Sequence, residues 1–232
     1  MRNIKLVVEY FGPSFSGWQI QKGVPTVQGA LVEAVFRVTG QKVGIIGAGR
    51  TDAGVHALGQ VANFHIEHPL PPERYRDALN SYLPDDIRVQ SSEEVPEDFH
   101  ARFSATHRRY RYLLTEERTA LYRHYRWEGV SPLDVDTLHK AAGLLLGEHD
   151  FSAFCVTASR QENNRCRIEH SRWCRFGPLW VYEIRGNRFL HSMVRSLVGG
   201  MVNLASASKD RNPNNLTLES FENMLARPAE QR

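Results

Sequence analysis

The run Gly47-Ala48-Gly49-Arg50-Thr51-Asp52-Ala53-Gly54-Val55-His56 places one carboxylate, Asp52, among three glycines. Glycines let a backbone turn tightly and let a ligand come close. An apolar run, Val43-Gly44-Ile45-Ile46, leads in, and an alternating run, Gln60-Val61-Ala62-Asn63-Phe64-His65-Ile66, leads out. Asp52 is therefore expected on a loop between two strands, a common place for chemistry. Four readings compete for such a turn. A dinucleotide loop would begin at Gly47-x-Gly49, but its third glycine falls at Asp52, where a carboxylate repels a pyrophosphate. A metal could take Asp52 and His56, although two ligands are few. Asp52 could act as a nucleophile or base, with Arg50 or another arginine as counter-ion. It could also simply cap a helix or close the turn.

The elements that must position this loop are legible in outline. Ile4, Leu6, Val8 and Tyr10 alternate and predict a strand. Thr26 is placed to cap a helix over residues 27–38, with Val27, Ala30, Leu31, Ala34, Val35 and Val38 as its apolar stripe. Pro72 opens a second helix with Tyr75, Leu79 and Tyr82 in line, and Pro84 lies just past its end. Strands are expected over 87–95 and 108–115. In the second half a helix is expected over 134–146, with Gly147 placed to end it. Gly177-Pro178 turns a hairpin between 167–175 and 179–185. A long apolar helix over 189–205 and a last one over 216–225 follow. Strands and helices mix without strict βαβ alternation, which predicts an α+β fold with antiparallel sheets and helices on one face.

Bulk properties bound the function. A chain of 232 residues with 41% hydrophobic and 24% charged residues is ordinary for a soluble globular protein. No apolar stretch approaches the ~20 residues of a membrane span. Met1-Arg2-Asn3-Ile4-Lys5 enters a strand without a signal-peptide core, so a cytoplasmic protein is expected. The cysteines, Cys155, Cys166 and Cys174, show no C-x-x-C spacing, which speaks against zinc and against a disulfide framework. A net charge of +3 says little by itself. Local clusters say more: His107-Arg108-Arg109 with Arg111, and Arg160, Arg165, Arg167, Arg172 and Arg175. They could neutralise phosphates or form a solvated strand face.

Gly49-Arg50-Thr51-Asp52-Ala53-Gly54-Val55-His56 resembles the signature of the tRNA pseudouridine synthase A family. Further segments match in the same order: Gly17-Trp18-Gln19, Phe99-His100-Ala101-Arg102-Phe103-Ser104-Ala105-Thr106, Arg109-Tyr110-Arg111-Tyr112, Leu146-Gly147-Glu148-His149-Asp150-Phe151 and His191-Ser192-Met193-Val194-Arg195. The likeness runs from about residue 4 to about residue 205. It implies two similar subdomains, here 1–100 with the catalytic loop and 101–232, whose sheets join across a cleft. Family members usually carry a further strand after the last helix, whereas this sequence stops at Arg227-Pro228-Ala229-Glu230-Gln231-Arg232, so the expectation is that either the final strand is missing or the chain is shortened.

The resemblance also implies an activity: uridine becomes pseudouridine in the anticodon stem-loop of tRNA, at positions 38, 39 and 40. No redox step occurs and no group enters or leaves, so neither cofactor nor metal is implied. Asp52 matches the catalytic aspartate and Tyr110 the substrate-binding tyrosine. Arg195 matches the arginine that partners the carboxylate, and a guanidinium among Phe189, Met193, Leu197 and Val198 would be costly unpaired. Arg50 and Arg102 are expected to hold phosphates or orient a flipped nucleotide. The implied partner is tRNA, bound by a homodimer, with no membrane. Two other classes stay open: an RNA-binding module without catalysis, and a metal-dependent hydrolase using Asp52 and His56.

Overall fold

The computed structural model describes residues 1–206 and 216–226. The chain end at 227–232, and with it the question of a final strand, lies outside the described residues. Two compact units divide the chain, Met1–Thr106 and His107–Arg232. Each is α+β with one sheet.

In the first unit, β1 (Arg2–Tyr10), β2 (Ile46–Gly47), β3 (Ala57–Ile66) and β4 (Ile87–Val95) form a four-stranded sheet in the order β2-β3-β1-β4. All of its pairings are antiparallel. The alternation read at Ile4, Leu6, Val8 and Tyr10 turns those four side chains into a buried core. Ala62, Phe64 and Ile66 of β3 and Ile87 and Val89 of β4 join them. The helix α1 (Val27–Thr39) covers this face with Val27, Leu31, Ala34 and Val35. Thr26 caps it, its hydroxyl accepting from the Gly29 N–H at 3.3 Å, and Gly40 ends it at φ 71°. The second helix differs from expectation. Pro72–Arg74 makes a 3-10 turn and α2 runs only over Tyr75–Asn80. Asn80 then turns to β4, donating to the Val89 carbonyl and accepting from the Val89 N–H. Tyr82 falls beyond the helix and stays exposed.

In the second unit, β5 (Arg108–Thr115), β6 (Trp127–Glu128), β7 (Gly147–Asp150), β8 (Arg165–Phe176) and β9 (Leu179–Gly186) form a five-stranded sheet in the order β6-β5-β9-β8-β7. Only β5 and β6 run parallel. The hairpin turn at Gly177-Pro178 is as expected. Helices α3 (Val135–Leu144), α4 (Met193–Ala205) and α5 (Leu218–Ala226) pack on one face, around Trp173, Trp180 and Tyr182. Asp134 caps α3, its carboxylate accepting from the Thr137 N–H. That helix stops before Gly147, which instead opens β7 with φ 99°. The apolar run from 189 becomes helical only at Met193, because Ser192 adopts a left-handed φ of 59°. Among the described residues no helix is long and apolar enough to cross a membrane.

Candidate active site

Asp52 lies on the loop from Ala48 to His56 that joins β2 to β3, and it is half-buried. The loop is not held by its own glycines alone. The segment that follows β1 lies against it. Trp18 donates its backbone N–H to the Thr51 carbonyl at 3.0 Å, and Ala48 donates to the Val61 carbonyl at 2.8 Å. Tyr10, at the end of β1, shares a 2.8 Å hydrogen bond between its hydroxyl and that of Thr51. Gln60 donates from its amide to the Gly49 carbonyl at 2.7 Å. Both neighbours of Arg50 are therefore fixed, and so is the residue before Asp52.

Glycine allows this approach at sites outside the motif as much as within it. A Cβ on Gly12 would come within 2.3 Å of the Val55 carbonyl oxygen, and one on Gly17 within 2.6 Å of the Thr51 oxygen. Gly17 also holds φ 91°. Gly47 packs under the Trp18 ring, where a Cβ would stand 2.6 Å from ring carbons. Gly54 has φ 80°, whereas Gly49 has open space and no positive φ. The three glycines read as one turn thus do different jobs: Gly47 admits a ring, Gly54 sets the turn, and Gly49 is under no steric demand.

His56 is a structural part of this arrangement. Its Nδ1 accepts the Gly12 N–H at 3.3 Å, and its ring meets Phe11 edge-on with centroids 4.9 Å apart. An Nδ1 used as an acceptor is closed to a metal. Among the described residues no three His, Cys, Asp or Glu side chains gather in a metal-binding group. Arg50 is exposed. Arg102 is also exposed, with its guanidinium 5.5 Å from the Phe103 ring centroid.

The remaining candidates belong to the second unit and sit on regular elements. Tyr110, on β5, is partly buried and meets Phe189 edge-on at 5.1 Å and 84°. Tyr112 follows on the same face. Arg195 does not lie among Met193, Leu197 and Val198 as expected. Those three are buried, while Arg195, about 200° around the helix from Met193, is on the exposed face of α4. There it lines an open depression of about 490 Å³ with Tyr112, Trp127, Ser192, Ser196 and Gly199. Burial pushes the Tyr112 phenol above its ordinary pKa, and the Arg195 charge partly offsets this. Ser192, at the mouth of α4, carries the positive φ already noted, a strained state for a non-glycine residue. Neither Tyr112 nor Ser192 stood out from sequence as a site residue, although both fall inside matched segments.

Among the described residues, four of the eight arginines in the two clusters are in ion pairs. Glu183 of β9 accepts from Arg109 and from Arg111, both on β5. Hydrogen bonds from Arg111 and Arg109, and then their charges, hold its carboxyl below the ordinary range. Arg165 pairs with Glu148, Arg185 with Glu169 and Arg175 with Glu116. Register explains the Glu183 pairing: β5 and β8 flank β9, so Arg111 and Arg172 both stand opposite Glu183. The solvated, self-paired strand face describes Arg109, Arg111, Arg165 and Arg175, half of the eight clustered arginines, better than a phosphate track does. The three thiols are free, and burial lifts that of Cys166 to about 11, where it is unreactive.

Comparison with known proteins points to the family that the motifs resemble. A family model described as tRNA pseudouridine synthase matches residues 6–104 and 141–231. The chain is 44% identical to the tRNA pseudouridine synthase A of Chlorobium luteolum over 211 residues, covering 90% of this chain and 83% of that protein. It is 45% identical to the protein of that name from Acetivibrio thermocellus over 204 residues, 87% of this chain and 84% of that one. The one from Brachyspira hyodysenteriae is 44% identical over 206 residues, 87% and 83% of the two chains.

Proposed function

The chain belongs to the tRNA pseudouridine synthase family, and from that premise we propose that Asp52 is the carboxylate at which it isomerises uridine in tRNA. The observation that carries the assignment is the set of contacts around the loop of Asp52. Segments from β1, β3 and the turn between β1 and α1 all fix the backbone on either side of one half-buried acid. A structural cap needs no such support, whereas a reacting group gains rate from being placed before substrate arrives.

The reaction breaks the bond from the uracil nitrogen to the ribose, turns the ring, and joins ring carbon to the same ribose carbon. The proton displaced from that ring carbon is balanced by one gained at the freed nitrogen, so nothing is oxidised and no group is lost. The protein's tasks are to extrude the nucleotide, hold a carboxylate beside the glycosidic bond, and move that proton. Extrusion costs a few kcal/mol, repaid by stacking and hydrogen bonds. Tyr110 serves as the substrate-binding tyrosine, its ring against uracil and its hydroxyl near the proton in transit. Arg195, Arg50 and Arg102 bind the RNA, as permanent charges suited to phosphate and to a flipped nucleotide. The targets are uridines 38, 39 and 40 of the anticodon stem-loop. Three neighbouring targets require reading of shape and backbone more than of base sequence. The protein acts as a homodimer in the cytoplasm, a C₂ pair being the usual arrangement of identical chains.

The test is incubation of purified protein with an unmodified tRNA transcript, followed by mapping of pseudouridine. Asp52→Asn is expected to lower turnover by at least about 10³-fold while tRNA still binds. Turnover close to wild type would remove Asp52 from the chemistry, and full function without turnover in either protein would favour the plain RNA-binding module. In the same assay Arg195→Met is expected to lose activity at unchanged melting temperature, since its side chain leaves the core of α4 untouched.

A further inference from the structure

Phe103 is the second most exposed large hydrophobic side chain among the described residues, at 75%, and only Met1 at the chain start exceeds it. It does not hang loose. Its ring stacks on His100 with centroids 4.4 Å apart and planes 31° from parallel, and the Arg102 guanidinium lies 5.5 Å from its centroid. The turn that carries these groups is closed by its own hydrogen bonds. Phe103 and Ser104 both donate N–H groups to the His100 carbonyl, at 2.9 and 2.8 Å, and the Ser104 hydroxyl accepts the His100 N–H at 3.1 Å.

The turn is also bolted to the sheet by two buried asparagines. Asn63 of β3, fully buried, accepts the Ala101 N–H at 2.9 Å and donates to the Asn3 side chain at 2.8 Å. Asn3 of β1, 1% exposed, donates in turn to the carbonyls of Phe99 at 2.8 Å and Pro96 at 3.0 Å. Two buried amides are thus committed to holding a segment whose outward side chains are a guanidinium and an unburied phenyl ring, backed by the half-buried His100 imidazole, whose Nδ1 accepts the Arg102 and Phe103 N–H groups. Folding gains nothing from leaving that ring in water. The anchor at Asn63 is on the same strand as Gln60, which holds the Asp52 loop, but three residues further on, so the two side chains leave β3 from opposite faces.

We propose that His100, Arg102 and Phe103 form a stacking platform for an unpaired nucleobase of the RNA substrate. The proposal rests on the functional reading above and adds a subsite to it. Aromatic and guanidinium planes are what single-stranded RNA stacks on, and the ring accepts any base because every base has a π-face. The guanidinium supplies charge for the adjoining phosphate. Asn3 and Asn63 hold the platform in place and do not touch RNA.

The experiment measures binding of an unmodified tRNA transcript to the full chain in an Asp52→Asn background, so that the bound RNA stays unconverted. Phe103→Ala is expected to weaken binding roughly 5- to 100-fold, with Phe103→Trp restoring it. In the Asp52 chain the loss in kcat/KM is expected to fall on KM. Phe103→Ala is expected to leave the salt dependence of binding unaltered, whereas Arg102→Gln makes it shallower. A blunt RNA duplex, which offers no unpaired base, is expected to bind Phe103→Ala and the parent alike. Equal affinity of the two for tRNA would overturn the platform, as would an equal loss on duplex. A Phe103→Ala protein that binds tRNA normally but changes its sedimentation would instead show that the ring serves a contact between copies of the chain. The binding comparison stands whether or not Asp52 proves catalytic, so failure of the platform and failure of the functional reading are separable.

Discussion

The two units hold their candidate residues in opposite ways. In the first, Asp52 stands on a loop whose position comes from distant chain segments: Gly12, Gly17 and Trp18 on one side, Tyr10 and Gln60 on the other. In the second, Tyr110 and Arg195 stand on a strand and a helix, where backbone hydrogen bonds fix direction and the period of the element fixes the face. A loop residue so placed depends on shape complementarity at sites that carry no chemistry. A residue on a regular element depends on its own element being packed. The first kind of site is vulnerable at many points far from the reacting group, and the second at few.

The largest break in this comparison is expected at Gly12. In Gly12→Ala the new methyl meets the Val55 carbonyl, a backbone atom that cannot rotate away. Either the turn or the loop must move, at a cost of about 1–3 kcal/mol. A displacement near 1 Å at the loop is expected to reduce kcat by about 10²-fold. Kinetics beside a thermal melt decide the matter: activity that tracks wild type would show that the loop tolerates the shift. Tyr10→Phe sharpens the same point with less force. It keeps the buried ring and removes the hydroxyl that bonds Thr51, at about 0.5–1.5 kcal/mol of stability. Turnover is expected to fall about tenfold, with little change in the affinity for tRNA, and an unchanged kcat would mean the hydroxyl serves stability alone.

This difference also governs what the sequence could convey. The regular elements were readable because periodicity is local. The alternation at Ile4 to Tyr10, the Thr26 cap, the strands over 87–95 and 108–115 and the hairpin at Gly177 all follow from neighbours a few residues apart. Errors arose where a distant contact overrode the local pattern. The side chain of Asn80, the last residue of α2, is committed to Val89 of β4 and Tyr82 falls beyond the helix in solvent, while α4 begins late because Ser192 turns left-handed. The Asp52 loop was visible as a motif, but its support was not. Nothing in the run 47–56 says that Gly12 must pass within touching distance of Val55, or that Gly49 faces no steric demand. Arg195 was placed in the core because its sequence neighbours are apolar, although a residue two positions from a buried one faces the other side of a helix.

The smallest expected effects come from the second unit and run the other way. Gly143, exposed near the end of α3, has nothing within 4 Å of a notional Cβ and no positive φ. Gly143→Ala is expected to stabilise by about 0.5–1 kcal/mol through helix propensity and unfolded-state entropy, with activity intact. Destabilisation on melting would mean that this unit, too, relies on a hidden glycine fit.

Glu183 offers the subtlest comparison, a carboxylate that is fully engaged but by side chains rather than by a sculpted loop. Arg111 and Arg109 hold its folded pKa below the unfolded value near 4.3. A depressed acid contributes stability above its unfolded pKa and loses that contribution as pH falls through the folded one. At pH 7, Glu183→Gln is therefore expected to be less stable than wild type by no more than about 1 kcal/mol, because both arginines are exposed and screened. The gap should close as pH falls from the unfolded value through the lower folded one, where the wild-type carboxyl takes up its proton. Thermal melts of the two proteins between pH 3 and pH 7 read this directly. Curves that stay parallel across the range would show that the ion-pair cluster does not bear on folding. In that event the outward face of the second sheet, with Arg109, Arg111 and Arg172 around one acid, would have to be understood through what it meets in solution.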